Sequence, residues 1–205
     1  MKRGIDVLLS HEHADPTRVG VTGLSGGGWQ TIFFSPLETR VNFACPVAGY
    51  SSFKTRTKVL ADLGDSEQTP CDLAPVVDYC HLTAMLAPHP TLLTFNAKDD
   101  CCFAAPTALP PLLDAAGPIF ELFGAKDKRH THINTDPGTH NYLLDNRQAL
   151  YAVLAESWSR PGQEYATKEI PSESEIKTAE ELNVPLPADN LDFHKLSLEL
   201  AKDLP

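Results

Sequence analysis

Apolar and polar positions follow one another along this chain in two alternating rhythms, one of helical period and one of short, continuous runs. Residues 5–9 place apolar side chains at helical spacing and end in the polar turn Ser-His-Glu-His-Ala-Asp-Pro. Residues 18–24, Arg-Val-Gly-Val-Thr-Gly-Leu, are short, β-branched and apolar, which predicts a buried strand. After a run of glycines, residues 29–37 read as a helix packed by Trp29, Ile32 and Phe33 and stopped near Pro36. Residues 41–50 give a second buried strand, and residues 91–100 a third that starts after Pro90 and ends in polar residues. Residues 106–125 keep a helical pattern despite their prolines, and residues 130–136 alternate like a last strand. Residues 141–158 form an amphipathic helix, with Leu143, Leu144, Leu150, Val153 and Leu154 on or near one face.

Strands alternating with helices predict an α/β architecture, a mostly parallel sheet flanked by helices. Two stretches break the rhythm. Residues 50–80 are rich in turn formers, among them Gly64, Asp65, Pro70 and Pro75, and read as a lid-like insertion. From Arg160 onward Pro, Glu, Ser and Lys dominate, so residues 1–159 form the expected domain and 160–205 a tail ending in a short helix over 189–204. No internal repeat is visible.

Composition narrows the class of partner. A length of 205 residues suits one domain with an appendage, and 42% hydrophobic with 21% charged residues is ordinary for a globular protein. The net charge of -10 argues against nucleic acid and anionic membrane surfaces, which need clustered Lys and Arg. No apolar run reaches the length of a membrane span. The start is basic and then briefly apolar without a small-residue cleavage site, so it is not read as a signal peptide, and the compartment stays unknown. The cysteines, Cys45, Cys71, Cys80, Cys101 and Cys102, are odd in number and contain no Cys-x-x-Cys pair. Buried free thiols are the default expectation, with a Cys71–Cys80 bridge open to the chain in an oxidising compartment. His11 with His13, and His130 with His132, each fall short of a metal ligand set, so neither metal nor cofactor is expected.

The chemistry centres on Gly23-Leu24-Ser25-Gly26-Gly27, a G-x-S-x-G sequence between a predicted strand and a predicted helix. A serine on so sharp a turn has strained backbone angles, so the positions two before and two after it are expected to lack side chains. The Gly26 amide, at the start of the helix, is placed to face a developing oxyanion. A phosphate-binding reading fails, because no Gly-Lys-Ser/Thr follows and G-x-G-x-x-G is not matched. Such a serine needs an acid and then a histidine further along the chain. Asp99 and Asp100 follow directly on the third strand, and His140 lies after Pro-Gly and before the long helix. All three would then gather at one edge of the sheet, beyond the carboxyl ends of its strands.

On these segments the chain resembles the α/β-hydrolase superfamily, in particular the branch of acetyl xylan esterases, dienelactone hydrolase and prolyl-oligopeptidase-type catalytic domains. The resemblance covers about residues 3 to 158 and rests on the helix, Asp-Pro-x-Arg turn, strand and elbow of residues 3–28, on Leu-Leu-Thr-Phe-Asn-Ala-Lys-Asp-Asp-Cys-Cys-Phe, and on Pro-Gly-Thr-His-Asn-Tyr. It implies Ser25 as nucleophile, His140 as base and Asp99 as orienting acid; the usual glycine of the acid loop is replaced here by Asn96, and the spacing favours Asp99 over Asp100. It also implies that the first strands of the usual fold, and with them a second oxyanion amide, are missing ahead of residue 3. The strand around Val19–Val21 would then have an open edge, covered by a second copy, a partner chain or the tail. The function implied is a carboxylic ester hydrolase acting on short-acyl or acetylated-sugar esters. A silent remnant serving as a binding or assembly module is the reading from another class, and a serine peptidase the rival within chemistry.

Overall fold

The computed structural model describes residues 1–162 and 165–204. In chain order it contains α1 (Lys2–Leu9), β1 (Gly20–Leu24), α2 (Gly26–Phe34), β2 (Phe43–Val47), α3 (Phe53–Arg56), α4 (Tyr79–Ala84), β3 (Thr91–Asn96), α5 (Ala105–Leu122), β4 (Arg129–Asn134), α6 (Leu144–Trp158) and α7 (Phe193–Ala201). The strands form one parallel sheet in the order β1-β2-β3-β4. Every residue of β2 and β3 is buried, which is why those two runs are apolar without alternation: helices cover both of their faces. β1 and β4 lie at the edges and are partly exposed.

Each face of the sheet carries its own core. On one, Ile32, Leu82, Leu93, Phe95, Leu109, Leu112 and Phe120 join α2, α4 and α5 to the strands. On the other, Phe43, Cys45, Val47 and Leu92 meet Leu150 and Val153 of α6. Full burial of a side chain such as Phe95 is worth about 1.5–3 kcal/mol. This explains how α5 survives Pro110, Pro111 and Pro118 in its interior. Each proline costs about 3 kcal/mol, but Ala108, Leu109, Leu112, Ala116 and Phe120 bury a whole stripe of the helix.

Two expectations for the long helices need correction. α2 starts at Gly26, ahead of its apolar pattern, because the turn at Ser25 and not residue propensity launches it. α6 starts at Leu144, because Asn141 is buried and its Oδ1 accepts the Leu143 N–H at 2.9 Å, holding residues 141–143 out of the helix. Leu143 and Leu144 are consequently exposed, and α6 is anchored by Leu150 and Val153.

The turn-rich stretch 50–80 carries only α3, short 3-10 turns and the start of α4, yet it is tied down. Arg56 is buried against the rings of Phe53, Tyr79 and Phe103, and its Nη1 donates to Gln68 O and Thr69 Oγ1. Tyr79 Oη also accepts from Trp29 Nε1 at 2.8 Å, fastening the stretch to α2. All five cysteines are free, so no Cys71–Cys80 bridge forms, and Cys71 and Cys101 are exposed instead of buried.

The chain divides into two compact units, Met1–Glu169 and Ile170–Pro205. Within the first, Arg160 pairs with Asp15 at 2.8 Å, Arg18 donates to Tyr165, and Arg147 forms a two-pronged bond to Glu169. The second unit contains α7, begun where Asp192 Oδ1 accepts the Lys195 N–H at 2.8 Å. Among the described residues, no helix is long and apolar enough to cross a membrane.

Candidate active site

Non-glycine residues with positive φ follow directly on β1 and β2, Ser25 at 58° and Ala48 at 40°, and a third, Phe103 at 60°, lies at the far end of the loop between β3 and α5. Strain of this kind, of order 1–3 kcal/mol per residue, persists only where packing enforces it. At Ser25 the enforcement is visible. Its N–H donates to Val47 O at 2.9 Å, and its carbonyl accepts the Trp29 N–H at 2.9 Å, the first turn of α2. Gly49 presses so close that a Cβ there would lie 2.4 Å from Trp29 N and 2.5 Å from Ser25 O; one on Gly28 would lie 2.5 Å from Val47 O. Gly23 is equally confined, 2.7 Å from the Gly27 backbone. The glycine two after the serine departs from expectation: a Cβ on Gly27 meets nothing within 4 Å. The crowded positions are Gly23, Gly28 and Gly49, since the elbow leans on the end of β2.

Gly26 is the first residue of α2, so its N–H has no carbonyl one turn back within the helix to bond. Its amide and the positive end of the helix dipole adjoin the serine.

The loop after β3 brings Asp99 to His140. His140 Nδ1 lies 2.9 Å from both carboxylate oxygens of Asp99. The Asp99 side chain has no exposed surface, and the His140 side chain is 18% exposed, so the pair is sheltered but reachable from the histidine side. Asp100 acts on the backbone instead: its Oδ1 accepts the His140 backbone N–H at 2.8 Å. Burial pushes the Asp99 carboxyl upward, but bonds from His140, Asn96 and the Cys102 and Cys101 amides outweigh it and hold it below its ordinary value. The bond to Asp99 raises His140 above the usual imidazole range, with burial opposing.

Beneath this pair lies a set of residues that the sequence pattern did not single out. Asn96 Nδ2 donates to Asp99 Oδ2 at 3.0 Å, and Asn96 Oδ1 accepts from Asn146 Nδ2 at 3.0 Å. Asn146 Nδ2 also donates to Asn141 O, while Asn141 Nδ2 donates to Asn134 Oδ1 at 3.1 Å. All four asparagines are buried. Asn96, noted only as a replacement for glycine, thus supplies the acid with an extra donor. The remaining signal in sequence is Asn96 and Asn134 at the ends of β3 and β4, Asn141 in the loop that follows and Asn146 near the start of α6, which singly read as turn or helix-surface chemistry.

Ser25 and His140 are linked less directly. Among the described residues no hydrogen bond closes between Ser25 Oγ and the His140 ring. Their segments are joined one step back. Thr22 Oγ1 donates to Cys45 O at 2.8 Å, so Tyr142, two residues past His140, donates its hydroxyl to Thr22 Oγ1 at 2.6 Å. Burial pushes the Tyr142 phenol upward, which keeps it a donor. His11, His13 and His130 take no part, and His132 Nε2 pairs with Asp145 Oδ2 at 2.8 Å on the far edge strand.

No known family pattern matches the chain. Several solved structures resemble it. A methylesterase aligns over 77% of this chain and 34% of its own, with a TM-score of 0.60 and 23% identity. The glucuronoyl esterase catalytic domain from Hypocrea jecorina aligns over 83% of this chain and 52% of its own, at 0.61 and 18%. A serine-to-alanine mutant of the Sporotrichum thermophile glucuronoyl esterase, solved with methyl 4-O-methyl-β-D-glucopyranuronate, aligns over 81% and 52%, at 0.56 and 15%. The chain spans about half or less of the length of these structures. The four-stranded parallel sheet with its flanking helices is accordingly part of the α/β-hydrolase fold, as the sequence resemblance implied.

Proposed function

We propose that the chain is a carboxylic ester hydrolase in which Ser25 is the nucleophile, His140 the general base and acid, and Asp99 the orienting carboxylate. The observation that carries this reading is the Asp99–His140 pair at 2.9 Å, on the same sheet edge as a serine held at φ 58°. Ser25 Oγ adds to the ester carbonyl while its proton passes to His140 Nε2. The Gly26 N–H and the α2 terminus stabilise the oxyanion, and collapse expels the alcohol carrying that proton. Water then adds to the acyl-serine by the same route, releasing the acid and restoring Ser25. An oxyanion donor is worth about 2.7–4 kcal/mol in the transition state.

The substrate class we propose is a small ester of a sugar. The sequence resemblance favours a short acyl group on a sugar alcohol. The solved neighbours, glucuronoyl and methyl esterases by name, add the opposite polarity, a uronic acid esterified through its own carboxyl. A second reading, a silent hydrolase remnant serving assembly, is favoured by the open Ser25–His140 contact. We further propose that a second copy of the chain covers the edge of β1.

Hydrolysis of p-nitrophenyl acetate, butyrate and octanoate beside a methyl glucuronate decides between these readings. Wild type is expected to turn over, with Ser25→Ala lowering kcat by at least about 10³-fold. Equal rates in both proteins, or none in either, would leave the assembly module as the better reading.

A further inference from the structure

We propose that the site corner holds a second, inhibitory function: Cys101 Sγ, Cys102 Sγ and a ring nitrogen of His140 form a binding site for a soft divalent metal ion such as zinc or cadmium. The ligand atoms of these three residues lie within 4.8 Å of one another. The two sulfurs are 3.3 Å apart. Two sulfurs each about 2.3 Å from a tetrahedral zinc ion stand about 3.8 Å apart, so about half an ångström of opening suffices.

The donors are arranged before any ion arrives. The Cys101 and Cys102 amides donate to Asp99 Oδ1 at 3.0 and 3.1 Å, and the Phe103 N–H donates to Asp62 Oδ1 at 2.8 Å, which fixes the turn that carries both thiols. Exposed Cys101 gives the ion an entry. Two thiolates and one neutral imidazole select a thiophilic ion over magnesium or calcium, and leave a fourth position for water. Each coordinating thiol releases its proton to solvent, so the two thiolates balance the ion's charge. Residue spacing carries no sign of a third ligand, because His140 arrives from the loop after a different strand.

The consequence for activity rests on the ester hydrolase reading, but the site itself does not. His140 needs both nitrogens: Nδ1 faces Asp99, and Nε2 must take the serine proton. Whichever one coordinates the ion leaves the relay, so a filled site is an inactive one.

The test uses the full reduced chain, titrated with cadmium in a thiol-free reductant and followed by thiolate-to-cadmium ultraviolet absorption. Wild type is expected to saturate at one ion per chain. Cys101→Ser, at an exposed position, and His140→Ala should each weaken binding by at least about tenfold, the loss that removal of even an outer partner typically brings. Cys71→Ser should bind as wild type does. Absence of the band, equal binding in Cys101→Ser, or its loss in Cys71→Ser would each overturn the site. Zinc should then suppress wild-type ester turnover, reversibly by chelator, while the ratio of rates with and without zinc stays near one in Cys101→Ser. Cadmium binding without zinc inhibition overturns the inhibitory role alone. No turnover under any condition overturns the hydrolase reading, and cadmium still decides the site.

Discussion

At His140, the hydrogen bond from Asp99 raises the imidazole and burial pulls it down, and the bond wins. With His140 as the proposed general base, which works in its neutral form, kcat/KM should rise with pH through an apparent value above the ordinary imidazole figure of about 6.5. Asp99→Asn removes the larger effect and leaves burial. The rising limb should then move to lower pH, and the rate should fall by about 10⁴-fold, the cost of losing the carboxylate that fixes the tautomer. pH–rate profiles of the two proteins check both statements, and an unmoved limb would contradict them. Asp100→Asn should cost far less, since Asp100 touches only the backbone N–H of His140. The same pair sets a stability window. Asp99 lies below its ordinary value when folded, so its contribution is present above about pH 3.9 and is lost as pH falls through the folded value. His140 lies above its ordinary value, so its contribution is full below about pH 6.5 and is lost as pH rises through the folded value. The pair is therefore held most firmly on the acid side of the range in which the proposed base would be active.

At the scale of elements, the elbow is a joint between β1, α2 and the end of β2, and its glycines differ in what they do. Gly28→Ala or Gly49→Ala drives a Cβ to within 2.5 Å of backbone atoms that no side-chain rotation can relieve. Each should lower stability by about 1–3 kcal/mol or more. Gly27→Ala enters open space inside a helix and should raise stability by up to about 1 kcal/mol. Denaturant unfolding of the three variants separates them, and a destabilised Gly27→Ala would refute the assignment. This contrast also marks how far the sequence could be read. The strand runs, the helix stripes and the order serine, aspartate, histidine were visible because each is local: a period, or a turn between two periods. Gly49, Ala48 and the buried asparagines were not, because their meaning depends on partners from other strands. Gly49 reads as a turn glycine until it is found against Ser25 O. Asn146 reads as a solvated helix position until it is found completely buried and bonded to Asn96. The start of α6 was misplaced for the same reason, since only a tertiary contact of Asn141 holds residues 141–143 out of the helix.

At the scale of the whole molecule, β1 has a single neighbour among the described residues, β2. Two bonds fix which way its backbone faces: Asn42 N–H donates to Val19 O, and Ser25 N–H donates to Val47 O, both at 2.9 Å. With the period of two of a strand, the odd-numbered residues address β2, and Gly20, Thr22 and Leu24 direct their amides and carbonyls to the open side. Among the described residues, no backbone hydrogen bond from a loop reaches those three. An apolar strand with an unpaired edge is a template for another strand, and the strand that bears Ser25 is the one at stake. Cover by a second copy would rigidify the elbow as well as protect the edge, so association and activity should rise together with concentration. Amide exchange read across a dilution series, beside light scattering, tests this. The Gly20, Thr22 and Leu24 amides should exchange fast when dilute and slow as the chain associates, while Val21, Gly23 and Ser25 stay slow throughout. Fast outer exchange in a monodisperse monomer at every concentration, with unchanged specific activity, would show that the edge stands open and that the elbow holds its strained serine without help.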